Sequence, residues 1–184
     1  MKNRRALSGL IAISASALLA GCASFSAGPV GNSAIPEPAK SVDLNRYLGR
    51  WYEIGRYEAK FQKDCEAVSA DYSLNENGTI KVINTCRKNS VDGKLSTATG
   101  KAKIVKDSQN AKLKVSFFGP FYGDYWILDR HENYDWAIVG EPSGRYLWML
   151  SRTANPSQET KSTILQRVAE LGYNLDLIRT TKQP

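Results

Sequence analysis

Few residues in this 184-residue chain have the types and spacing that catalysis or metal binding needs. The single histidine, His131, sits in Asp129-Arg130-His131-Glu132, a charged run that reads as a solvent-exposed turn. No Ser or Cys stands beside a base in an arrangement that would activate it. Cys22, Cys65 and Cys86 contain no Cys-x-x-Cys pair, and with one histidine they give no basis for a zinc site. Glu53, in a largely apolar segment, could be a buried carboxylate, though such residues more often serve as hydrogen-bonded structure or stand at a rim. The expectation is therefore no catalytic residue, no metal and no cofactor.

The chemistry that remains is at the N-terminus. Lys2, Arg4 and Arg5 precede an apolar run, residues 7–20, that Ser8, Gly9, Ser14 and Ser16 interrupt. This is too short and broken to span a bilayer, which takes about 20 consecutive apolar residues, and it has the form of a secretory signal. Its end, Leu19-Ala20-Gly21-Cys22, resembles the lipobox of bacterial lipoproteins, which implies acylation at Cys22, by chains such as palmitate, and removal of residues 1–21. Ala23, rather than Asp, implies by the same resemblance sorting to the outer membrane, with the protein facing the periplasm. The formal charge is +7, and losing three basic residues with the signal leaves a mild surplus. With no basic cluster interleaved with aromatics, a nucleic-acid partner is not expected. Once Cys22 is acylated, Cys65 and Cys86 are left in an oxidising compartment, where pairing is the default expectation.

Residues 23–42 hold Gly28, Pro29, Gly31, Pro36 and Pro38, a linker composition. We expect a flexible tether over residues 22–42 and one domain over residues 43–184. Strands are expected over residues 51–57, 68–74, 79–85, 96–105, 111–118, 124–129, 136–140 and 145–151, separated by turn signals. No helix fits between them, so neighbours pair antiparallel in a meander. Asn155, Pro156 and Gln158 read as N-cap, first position and third position of a helix. Its apolar stripe is Ile164, Leu165, Val168, Ala169 and Leu171, and residues 174–179 read as a final strand. The fold class is all-β: an eight-stranded up-and-down antiparallel barrel with one C-terminal external helix and a short last strand. At that strand number the interior can be filled by side chains or hold one small ligand.

Three motifs resemble those of the lipocalins, over about residues 43–180. They are Gly49-Arg50-Trp51-Tyr52, Gly123-Asp124-Tyr125-Trp126, and Trp148-Met149-Leu150-Ser151-Arg152. The bacterial lipocalin lipoproteins and apolipoprotein D are the members most alike, with Tyr72-Ser73-Leu74, Asn77-Gly78 and Asn133-Tyr134 in similar settings. The resemblance implies that Gly49, Trp51 and Arg152 are structural, with Trp51 plugging the closed end and Arg152 lying across its indole. It implies a ligand pocket lined by Tyr72, Val82, Asn84, Phe117, Tyr125 and Trp148.

Alternation tests that set, because strand residues two apart share a face. Tyr146, Trp148 and Leu150 should face inward together, as should Leu113, Val115 and Phe117, and Tyr125 with Ile127. If Tyr72 and Asn84 both face inward, the expected hairpin pairs Asn75 with Thr79 across a three-residue loop, with Gly78 left-handed and Tyr72 opposite Val82; a bulge elsewhere in the strand is the alternative that restores the parity. That register sets Cys86 opposite Val68, so a Cys65–Cys86 bond requires a bulge between Cys65 and Val68. Arg56, Lys60 and Lys63 are placed near the mouth, either meeting an anionic headgroup or as ordinary solvated charges.

The resemblance implies binding of a lipid amphiphile, a fatty acid or lysophospholipid, at the membrane. The alternatives are a structural or interaction protein with its barrel filled by the four Trp, nine Tyr and five Phe, or a lipid-modifying enzyme. Bacterial members can dimerise, so a homodimer is also left open.

Overall fold

The computed structural model describes residues 28–184. The expected signal peptide (residues 1–21), Cys22 and residues 23–27 of the expected tether lie outside the described residues. The strands are β1 (Gly49–Tyr57), β2 (Cys65–Leu74), β3 (Ile80–Lys88), β4 (Leu95–Ile104), β5 (Lys112–Phe118), β6 (Phe121–Arg130), β7 (Trp136–Gly140), β8 (Leu147–Ser151) and β9 (Ile178–Thr180). Each of β2 to β8 pairs with its sequence neighbour, and β1 pairs with both β2 and β8, which closes the eight strands into a barrel. Closure pairs most of what would otherwise be free strand edge. β9 adds to the outer half of β1, where β1 has parted from β2.

The three-residue hairpin is present: Asn75 N–H donates to Thr79 O at 2.8 Å, Gly78 has φ +76°, and Tyr72 pairs with Val82. The register shifts between Glu66 and Ser69, with Ala67 at φ +46°. This bulge brings Cys65 and Cys86 to a Cα–Cα distance of 5.4 Å, and they form a disulfide. The register also shifts between Glu53 and Gly55 in β1, between Val115 and Phe118 in β5 and between Ile127 and Asp129 in β6, none of which the sequence pattern indicates.

Two apolar clusters lie on either side of the sheet. The inner one runs through Trp51, Ile80, Val82, Ala102, Leu113, Ile127, Val139 and Leu150. The outer one joins Ile54, Leu128, Ile138, Leu147 and Met149 to Ile164 and Val168 of helix α2 (Gln158–Glu170). The helix stripe is narrower than expected. Ile164 and Val168 are fully buried and Leu171 packs against them, whereas Leu165 and Ala169 are exposed. The helix also starts two residues late. Ser157 is the N-cap, accepting from Thr160 N–H at 3.1 Å, while the Asn155 amide donates to Pro184 O. A 3₁₀ turn, Leu175–Leu177, occupies half of the expected last strand, which begins only at Ile178.

Residues 28–42, read from the sequence as part of a tether, make defined contacts with the barrel. This segment is laid along the outside of the barrel, from the β7–β8 loop to the β4–β5 turn. Gly31 N–H donates to Gly144 O, the Asn32 amide donates to Leu171 O at the end of α2, Ile35 joins the outer cluster, and Val42 N–H donates to Gln109 O. A few well-placed anchors hold a sequence whose Gly and Pro content suggested a free linker. Asp129 of β6, almost wholly buried, accepts from Lys40 at 3.0 Å and from Arg167 of α2 at 2.7 Å. Burial alone would raise its carboxyl, but these partners outweigh it and hold the carboxyl below its ordinary value. Asp129→Asn should cost about 2 kcal/mol at neutral pH, the range for hydrogen bonds to charged groups. A depressed folded-state value gives stability that is full above the unfolded carboxyl value of about 3.9 and fades as pH falls below it. Urea unfolding at pH 7 and pH 3 checks this: the gap between wild type and variant should shrink at the lower pH.

Candidate functional site

The two ends of the barrel differ. At one end the short helix α1 (Leu44–Tyr47), N-capped by Asp43, folds under the strands. Trp51, wholly buried, donates its indole N–H to Tyr47 O at 2.8 Å. The Arg152 guanidinium lies 3.8 Å from the Trp51 ring centroid and donates to Arg50 O, Arg46 O and Tyr134 O. Gly49 stands at φ +91°, a left-handed conformation that costs glycine least, as the chain turns out of α1 into β1. These contacts seal the end. Tyr134, also buried, is held between Arg46 and Arg130, whose guanidinium carbons lie 4.5 and 4.4 Å from its ring centre.

Above this plug three phenols form a floor. The Tyr125 hydroxyl bonds to that of Tyr47 at 2.8 Å and to that of Tyr72 at 2.9 Å. Burial raises all three hydroxyls above their ordinary value, Tyr72 to about 12, so they stay protonated at physiological pH.

All six residues of the expected pocket are on the inner wall, at two levels. Tyr72 and Val82 are buried in the lower half. Asn84, Phe117, Tyr125 and Trp148 are only half-buried, as are Ala70 and Val115 beside them. The expected alternation holds in β5, β6 and β8, since Leu113, Val115, Phe117, Tyr125, Ile127, Trp148 and Leu150 all join the inner cluster. Tyr146 sits at the rim, stacked on Trp148 at 5.8 Å. Asn84 Oδ1 is buried and has no hydrogen-bond partner among the described residues.

Charged groups reach the open half in a way the sequence did not indicate. Glu53 pairs with Leu150 and Arg56 with Trp148, both residues of the inner wall; Glu53 faces inward with Trp51 by alternation, and the bulge after it turns Arg56 inward as well. Arg56 is therefore corrected from a mouth charge to a fully buried one. It donates to Glu53 at 2.8 Å, to Glu58, and to the carbonyls of Cys65 and Gln62. Glu53 also accepts from Thr181 and Gln62. Gln62 Oε1 in turn accepts from the Trp148 indole N–H at 3.0 Å, and Phe61 lies against Tyr146 and Trp148. The β1–β2 loop thus leans over one side of the mouth through Phe61 and Gln62, residues that no periodicity or motif singled out. Lys60 and Lys63 are exposed on the same loop. His131 is at the sealed end, 2.9 Å from Asp135.

A lipocalin-like domain family matches residues 42–183. The chain is 40% identical to the outer membrane lipoprotein Blc of Citrobacter freundii over 156 residues, 81% of this chain and 87% of that one. It is 38% identical to temperature-induced lipocalin-1 of Arabidopsis thaliana, covering 80% and 82% of the two chains, and 34% identical to mouse apolipoprotein D, covering 84% of each. Among solved structures, the cockroach allergen Per a 4 superposes with a TM-score of 0.64 at 22% identity, over 84% of this chain and 96% of that one. Insecticyanin of Manduca sexta gives 0.64 at 19% identity, over 82% and 87%, and at such identities the likeness is one of fold. A sealed barrel end built on Gly49, Trp51 and Arg152, an external C-terminal helix, and close relatives across the whole domain agree: the chain belongs to the lipocalin family.

Proposed function

We propose that the protein binds a lipid amphiphile, a fatty acid or lysophospholipid, reversibly in the open half of its barrel, as an acylated lipoprotein of the outer membrane facing the periplasm. The observation that carries this reading is the contrast between the two halves of one apolar wall. Trp51, Ile80, Leu113 and Ile127 below are fully buried, whereas Val115, Phe117, Tyr125 and Trp148 above are only half-buried, with Tyr146 and Phe61 lying against Trp148 at the rim. A wall that is apolar, concave and incompletely covered is what a ligand site requires. Asn84 Oδ1 adds an acceptor that a ligand hydroxyl would satisfy. Glu53 is engaged by Arg56, Gln62 and Thr181, and His131 stands at the sealed end away from the open half, which supports a reading of binding rather than catalysis. Several relatives are named outer membrane lipoproteins, which supports the location, as does the motif at Cys22.

The magnitudes agree with reversible binding. Burying a chain of about 16 carbons gains on the order of 13 kcal/mol at ~0.8 per methylene, and association costs about 4–15 kcal/mol. A micromolar complex corresponds to about −8 kcal/mol.

Titrating residues 23–184 with fatty acids and lysophospholipids should give a saturable change in tryptophan emission at micromolar ligand. Trp148→Phe should remove most of that change, because the other three tryptophans lie outside the open half: Trp51 in the plug, and Trp126 and Trp136 with the outer cluster. No saturable response from any amphiphile would favour a barrel filled by its own aromatics.

A further inference from the structure

Large hydrophobic residues are exposed unevenly over the described residues. The three most exposed are Phe118 at 82%, Phe121 at 78% and Phe61 at 68%, and all three lie at the open end, on strand ends or the β1–β2 loop. Phe118 and Phe121 flank the β5–β6 turn and Phe61 is in the β1–β2 loop; Leu95, 56% exposed, starts β4 at the same end. Exposed rings gathered at one pole mark an interaction surface. The direction of residues 28–42 says which surface they meet. Gly28 O accepts from Arg145 in the β7–β8 loop, and Gly31 and Asn32 N–H both donate to Gly144 O, so the described chain begins at the open end and then runs down to the sealed one. Val30, 45% exposed, lies on that first stretch. Cys22 precedes Gly28 by six positions, and a fully extended chain gains at most ~3.6 Å per residue. The attachment point is thus within about 20 Å of the mouth.

We infer that the rim of the barrel is a membrane-docking surface, seated mouth-first on the bilayer that holds the N-terminal anchor, with Phe61, Phe118 and Phe121 entering the lipid interface. The inference rests on acylation of Cys22. Charge at the rim suits anionic headgroups. Lys60, Lys63, Arg87, Lys88 and Lys94 stand against Asp64 and Asp92, while Glu58 is taken up by Arg56 and Arg179, and Glu141 by backbone amides of its own loop. Basic side chains close to an anionic leaflet add attraction that falls off within a Debye length. An acyl anchor plus an apolar and basic rim gives two membrane signals, which together hold a protein stably. In this pose an amphiphile passes between bilayer and barrel without crossing bulk water.

The test uses the full-length protein, acylated, in vesicles of phosphatidylethanolamine and phosphatidylglycerol with brominated acyl chains. Phe118→Trp and Phe121→Trp place reporters at the rim, and Leu74→Trp places one at the sealed end, where Leu74 is 56% exposed. The unsubstituted protein supplies the background of its own tryptophans. Rim reporters should be quenched at least about twofold by the bromine, as insertion to the acyl boundary requires, and the Leu74→Trp reporter should be unaffected. Quenching at Leu74→Trp equal to that at the rim, or none at any position in an acylated protein, would overturn the docking. A vesicle-free dimer by sedimentation, with rim reporters shielded from aqueous quencher and unquenched by bromine, would assign the rim to a second copy instead. Mass spectrometry of the N-terminal peptide separates the two levels: an unacylated Cys22 removes the anchor and the orientation with it.

Discussion

Replacing Glu53 with alanine should cost about 3–5 kcal/mol of unfolding free energy, the loss expected when one partner of a buried ion pair is removed. Glu53 is 2% exposed and Arg56 not at all, with Nη1 to Oε1 at 2.8 Å. Burial pushes the Glu53 carboxyl up, and Arg56, Thr181 and Gln62 pull it back towards the charged form. The variant leaves Arg56 with Glu58, which is on the surface, and with backbone carbonyls. Its charge would then be buried with far less compensation. Adding Arg56→Met should restore a large part of the loss, because an apolar pair of similar volume avoids the desolvation of both ions. Urea unfolding of the two single variants and the double variant gives the coupling directly. If the single changes cost less than about 1 kcal/mol each, the range of an exposed pair, the pair is not the buried element described here. A functional effect should follow too. Gln62 loses its Glu53 partner, so the loop that meets Trp148 loosens and ligand release speeds up, which stopped-flow emission would detect.

Trp51→Ala should destabilise the protein by a similar amount, about 3–5 kcal/mol, the usual cost of removing a large aromatic from a packed core. Part of that is the Arg152 contact, worth about 0.5–2 kcal/mol, and part the hydrogen bond to Tyr47 O that ties α1 to β1. Against a total stability of about 5–15 kcal/mol for a domain, this is enough to lower the thermal midpoint sharply. Ligand affinity of the folded fraction should hardly change. Trp51 lies below the Tyr47–Tyr125–Tyr72 floor, and the half-covered wall lies above it. Trp51→Phe, expected to lose less, serves where the alanine variant is too unstable to titrate. Loss of affinity in step with loss of stability would show that plug and pocket are not separate.

These expectations differ in how far the sequence alone supports them. The plug was legible through resemblance, because Gly49, Trp51 and Arg152 match the lipocalin motifs, whose implied roles are structural. Most of the inner wall was legible as well, since period-two alternation fixes the face of every residue in an unbroken strand. Thus Leu113, Val115 and Phe117 share one face, as do Trp148 and Leu150, and the parity of the β2–β3 hairpin set both its loop length and the need for a bulge beside Cys65.

Parity also failed, and at an informative place. Counting in twos from Trp51 carries Gly55 and Tyr57 inward and turns Arg56 out, but the register shift after Glu53 reverses this. Arg56 enters the barrel and Tyr57 joins the outer cluster with Tyr173. An inserted residue changes the face of everything after it, and nothing local announces it. The shift is set by pairing with β8 and β9, about a hundred residues away in sequence. The same holds for residues 28–42, whose anchors Asn32, Ile35 and Lys40 find partners in α2, the outer cluster and β6 only after the barrel has closed. What the sequence determined by itself was therefore what short-range pattern encodes, the meander and the relative face of residues in each regular strand, while the sealed end was legible only through the resemblance of its motifs to a known family. The tertiary structure decided the buried Glu53–Arg56 pair, the loop leaning over the mouth and the end of the barrel at which the described chain begins, because each depends on strands and loops that become neighbours only in the closed barrel.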